Sequence, residues 1–142
     1  MRSVGRPIRW PMIVGTLLVG AALGATSHQL VAAPPSFTET PLYRADLTGI
    51  GQHELIVSRL ETSAGWSHGR HYHAGHEFVY VLDGEGTLEV EGNPARRLEP
   101  GGFAHVPPGR IHAGRNAGRT APFKFLLIRI HVKGEPMSVE LN

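Results

Sequence analysis

Nine of the 142 residues are histidine and none is cysteine, so imidazole is the side chain most able to do chemistry here. His68, His71, His73 and His76 fall within one short stretch, Glu77 follows directly, and His112 stands apart further along. On a strand, side chains two residues apart share a face with Cα atoms roughly 6.5–7 Å apart. His71 and His73 can therefore converge on one metal ion. Ala74-Gly75 breaks that strand, and Glu77 opens the next with a carboxylate. If the two strands are neighbours, three donors meet on one surface, and His112, after the Pro107-Pro108-Gly109 turn, can supply a fourth. Imidazoles with one carboxylate suit a borderline divalent metal such as Fe, Mn, Ni, Zn or Cu. The lack of cysteine excludes disulfide scaffolds, thiol catalysis and thiolate metal sites.

Something must hold these donors in place, and the composition points to strands. Gly 18 and Pro 11 amount to about a fifth of the chain, without a collagen period, which signals many tight turns and a β-rich fold. Apolar runs cover His53–Thr62, Glu77–Leu82, Thr87–Val90, Phe103–Val106, Ile111–Arg115 and Phe123–Val132, separated by Gly- and Pro-bearing turns. This spacing predicts an all-β sandwich or barrel. No run after residue 33 keeps a helical period, and no internal repeat marks a second domain. Glu77–Leu82 is largely apolar on both faces, which predicts cover on both sides. The run beginning at Phe123 is similarly apolar and suits either the core or an oligomer contact.

The N-terminus reads differently. Of the 14 basic residues, Arg2, Arg6 and Arg9 lie in the first ten positions, leaving 11 against 12 acidic ones. The body therefore lacks the basic excess that nucleic-acid binding needs. The stretch from Trp10 to Ser27 carries no charge and ends in small residues. Residues 1–33 thus read as a secretory signal, with a cut after Ser27 placing Ala25 and Ser27 at the two small-residue positions, or as an uncleaved anchor helix. Residues 34–142 form the folded domain, exported to the periplasm or beyond. Contact with a membrane is expected through the leader alone.

Two spaced patterns give the body a family likeness. Gly65, His71, His73, Glu77 and Gly84 are separated by five, one, three and six residues. Gly101, Pro107, Gly109, His112 and Asn116 are separated by five, one, two and three. These resemble the two motifs of the cupins, and the strand pattern extends the likeness over roughly residues 40–135. The resemblance implies a small β-barrel, a double-stranded β-helix or jelly roll, with a metal inside. It implies His71, His73, Glu77 and His112 as metal ligands, the glycines as turn positions and Asn116 as a structural residue. Gly102 departs from many relatives, which carry an acid there. Relatives commonly dimerise, so a homodimer is expected.

Other residues are weighed against blander roles. His76 has the opposite parity to Glu77 and is expected to point outward. His68 is a candidate for the mouth of the site, and His105 for its pocket. His53 and His131 read as surface or packing residues. Tyr72 should face away from the metal, and Tyr80 reads as core. Arg110 and the Arg96-Arg97 pair read first as solvated side chains. No nucleophile motif, phosphate loop or dinucleotide fingerprint is present. Three functions remain: a metal-dependent enzyme on a small molecule, of oxygenase, decarboxylase, isomerase or lyase type; a non-catalytic binding or sensing module; and a barrel whose metal serves stability alone.

Overall fold

The computed structural model describes residues 33–141; the expected signal or anchor at residues 1–32 lies outside them. Ten strands run through these residues: β1 (Phe37–Asp46), β2 (His53–Thr62), β3 (Ser67–Tyr72), β4 (His76–Asp83), β5 (Gly86–Val90), β6 (Arg96–Leu98), β7 (Phe103–Val106), β8 (His112–Asn116), β9 (Phe123–Val132) and β10 (Val139–Glu140). They form two antiparallel sheets, one in the order β1-β2-β9-β4-β7 and the other β10-β3-β8-β5-β6. The described residues contain no helix. The six apolar runs all become strands, with ends shifted by a residue or two. The Arg96-Arg97 pair lies on edge strand β6 and is exposed.

The two sheets enclose one core. Leu60, Val79, Val81, Phe123, Phe125 and Leu127 come from the first sheet, and Leu88 and Leu98 answer from the second. Val81 and Val106 are almost fully buried, each stabilising the fold by about 1.5–3 kcal/mol relative to an exposed position. Alternation decides which side chains enter. Glu77, Val79 and Val81 point inward from β4 and are buried, whereas Tyr80 and Leu82 are 40% and 41% exposed. The expectation that this strand is covered on both faces fails for the single chain, and Tyr80 is not a core residue. The outer side of the first sheet is apolar over β4 and β7 but open.

Asn116 ties the turns together. Its buried Nδ2 donates to the carbonyls of Thr62, Ser63 and Ala121, and its Oδ1 accepts from the Gly118 amide. A short polar side chain satisfies four main-chain groups where the end of β2 meets the loop into β9. This is the structural role that the second motif implies.

Candidate metal centre

His71 and His112 are directly paired residues on β3 and β8 of the second sheet. His73 lies just beyond the end of β3, and Glu77 projects from β4 in the opposite sheet. β3 and β4 are therefore not neighbours; the expected ligands meet across the interior. All four side chains are buried. Nitrogens of His71, His73 and His112 lie within 4.8 Å of one another. His73 Nε2 is 2.9 Å from Glu77 Oε2, and His112 Nε2 is 3.3 Å from Glu77 Oε1.

Main-chain contacts determine what these rings offer. The Nδ1–H of His71 donates to the Gly69 carbonyl at 2.8 Å, that of His73 to Met137 at 2.5 Å, and that of His112 to Arg110 at 2.9 Å. A carbonyl only accepts, so each Nδ1 carries the proton and each Nε2 keeps a lone pair. The Nε2 atoms of His73 and His112 are buried and find no hydrogen-bond partner, although both lie against an acceptor carboxylate. Lone pairs facing lone pairs in a buried site repel, and a cation between them removes the conflict. The donor set thus fits a borderline divalent metal.

The titration behaviour follows from the same contacts. Burial depresses His71 to about 4, so its lone pair stays free down to acidic pH. Burial alone would raise Glu77, but in the metal-free site the hydrogen bonds that His112 and His73 donate once their Nε2 atoms are protonated, with Arg129 beyond them, hold it well below the usual carboxylate range. Burial lowers His112, and the adjacent Glu77 carboxylate more than restores it, leaving it raised.

Local backbone features aim the ligands. Gly75 lies between His73 and Glu77, and a Cβ there would sit 1.9 Å from the Ile130 carbonyl oxygen. Only glycine lets this turn press against β9. The Gly109 amide donates to the His73 carbonyl at 2.8 Å, joining the second motif to the first. A register shift between His68 and His71 brings both rings to one side although they are three residues apart. Their centroids are 3.8 Å apart and stacked, so His68 does line the mouth. Its Nε2 donates to Glu140 at 3.1 Å, and His68, His71 and Glu140 form a second, more exposed donor group sharing His71.

The centre opens into a cavity of about 420 Å³. Its walls are mainly apolar, with Leu60, Phe123, Phe125 and Leu127 on one side and Leu88 and Leu98 on the other. Arg129, paired with Glu77 across β4 and β9, places Nε 3.2 Å from Glu77 Oε2 and Nη1 3.9 Å from Glu39. Parity along β9 could have singled out this arginine, because it alternates with Phe125 and Leu127 on the inward face. Of the remaining expectations, His105 does not reach the cavity: it projects from the outer face of β7 and contacts His76 there. Arg110 is exposed and donates to the Glu91 carbonyl. His131 is buried as packing, and His53 hydrogen-bonds the Ile50 carbonyl.

The cupin domain model matches residues 58–129, about half of the chain. The chain belongs to the cupin family. One relative, dimethylsulfoniopropionate lyase DddQ from Ruegeria pomeroyi, is 38% identical over 65 residues, covering 46% of this chain and 31% of that protein. The chain thus spans about a third of the curated relative it matches. A crystal structure of DddQ from the same organism superposes with a TM-score of 0.54 at 32% identity, covering 61% of this cupin and 42% of that chain. A cupin-like protein from Thermotoga maritima gives a TM-score of 0.61 at 24% identity over 75% of this chain and 79% of that one, a likeness of fold.

Proposed function

We propose that this cupin is an exported, metal-dependent enzyme acting on a small organic molecule. The observation that carries the reading is the set of three Nε2 lone pairs and one carboxylate at the edge of an apolar cavity. His71, His73, Glu77 and His112 would hold the metal. A metal so held supplies a Lewis-acid or redox centre with positions left for water or substrate. The chain's own residues do the rest. The leucine and phenylalanine walls exclude water from an apolar substrate body, Arg129 holds Glu77 in position, and His68 with Glu140 borders the entrance. Among the four reaction classes, lyase chemistry draws support from the stretch shared with the Ruegeria lyase.

The test is protein loaded separately with Fe, Mn, Ni, Zn and Cu. Each form is incubated with dimethylsulfoniopropionate and with a panel of carboxylates, phenols, diketones and sugars. Metal-dependent conversion of at least one compound, lost in His71→Ala, is expected. Full metal loading without turnover, oxygen uptake or product across the panel overturns the reading.

One observation favours a non-catalytic binding or sensing role instead: no lysine, tyrosine or aspartate lines the cavity among the described residues. A compound that binds tightly and is recovered unchanged would establish that role, and rapid conversion would dismiss it.

A further inference from the structure

A second pair of histidines faces away from the cavity. His76 on β4 and His105 on β7 project from the outer side of the first sheet, with His76 Nδ1 and His105 Nε2 2.9 Å apart. His105 is exposed and His76 half-buried. Their rings are stacked at 5.1 Å. Among the described residues neither ring hydrogen-bonds a main-chain carbonyl, in contrast to the three interior histidines, and no acid pairs with either. Each ring turns one nitrogen toward the other, and these two, Nδ1 of His76 and Nε2 of His105, are close enough to ligate one cation together.

Two imidazoles are half of what a borderline cation takes, since zinc is almost always held by four donors in tetrahedral sites. The surrounding face offers no further donor. It is apolar around the pair, with Phe78 and Tyr80 on β4, Phe103 on β7, and Leu126 and Ile128 on β9, while the charged side chains of that face, Arg59, Glu61 and Lys124, lie farther away along β2 and β9. Phe103 is 50% exposed, and Phe78 stacks on both His105 and Phe103. An apolar patch of this kind complements a second copy of itself, and a two-fold axis brings the same residues from both sides. It would bring two more imidazoles with them.

We propose that His76 and His105 are half of a divalent-metal site on the outer face of the first sheet, completed by the same pair from a second copy of this chain. The cation class is the borderline one, with zinc as the probe. The site is separate from the interior centre and does not depend on what that centre does.

The experiment begins with protein whose interior centre is already saturated. Zinc is then added while binding stoichiometry and the dimer dissociation constant are measured, the latter by analytical ultracentrifugation. The expected result is one further zinc per two chains and dimerisation at least tenfold tighter with zinc. His105→Ala and His76→Ala should each lose both effects, and His105→Ala should keep interior metal and its melting temperature. Three results overturn the proposal: no zinc beyond the interior equivalent; further zinc that leaves the dimer constant unchanged; or a zinc effect that survives in both variants.

Discussion

The Nδ1–H of His73 donates to the main-chain carbonyl of Met137, 2.5 Å away and 64 residues further along the chain. A ring of the candidate metal centre is thereby oriented by the C-terminal segment, which β10 anchors by pairing Val139 and Glu140 with Tyr72 and His71. Ending the chain at Glu135 removes both the acceptor and the strand. Loss of an outer hydrogen bond to a ligating histidine typically costs about 10–100-fold in metal affinity. A drop in that range, measured by chelator competition, is expected for the truncated protein; unchanged affinity would show that the tautomer is set elsewhere.

His71 and His112 face each other on paired strands, and each Nε2 is a separate donor. His71→Ala or His112→Ala should therefore reduce metal to well below one equivalent by elemental analysis, without unfolding the barrel. Near-stoichiometric metal in both variants would refute their assignment as ligands.

Acid should destabilise the metal-free protein through His71. Its folded pKa is depressed to about 4 from roughly 6.5 in the unfolded chain. Between these values the unfolded state takes up a proton that the folded state refuses, so stability falls as pH drops from about 6.5 to 4. Glu77, held low in the fold, adds loss of the same sign below about 4.5. His112 works in the opposite sense. Its raised pKa gives stability that is fully present below about 6.5 and lost above. Melting temperatures of EDTA-treated protein should fall steadily from pH 6.5 to 4, and His71→Gln should flatten that slope.

The four candidate ligands are legible in the sequence because two spaced motifs carry their positions with them. His71, His73, Glu77 and His112 all converge as the motifs imply. What period-two reading missed came from breaks in the period and from pairing across the chain. The register shift after His68 turns that ring inward, which simple alternation forbids. His105 was misplaced because parity says which residues share a face but not which face is the inner one. β1 and β10 lack a clean apolar alternation: β1 is mostly exposed, carries a proline and has a shift between Pro41 and Tyr43. Arg129 was passed over because a charged residue in an apolar run looks solvated until its partner across the strand, Glu77, is known.

Gly75 offers a test of the turn that separates two ligands. An added Cβ would collide with the Ile130 carbonyl, which belongs to a central strand and has little room to retreat. Gly75→Ala should cost about 1–3 kcal/mol of stability, the range for overpacking a well-packed site. It should also reduce metal occupancy, because His73 and Glu77 flank the displaced residue. Thermal melts and elemental analysis of the same preparation would check both.

Arg129 presents two opposing effects, and magnitudes decide between them. Its Nε, 3.2 Å from Glu77 Oε2, helps orient a ligand carboxylate, so removing it threatens the geometry. The same guanidinium is a fixed positive charge beside the place a divalent cation must occupy, so removing it also removes repulsion. Glu77 is buried between His73 and His112 and would be held by the cation once that is bound, which leaves the orientation loss small. At an effective dielectric near 20, a divalent ion and a unit charge about 6 Å apart interact by roughly 5–6 kcal/mol. Allowing for solvent that reaches a side chain 17% exposed, about half of that remains. Arg129→Met should therefore bind metal at least tenfold more tightly than the unaltered protein in chelator competition. Weaker binding would mean that Arg129 serves chiefly to position Glu77, and the charge argument would then be wrong.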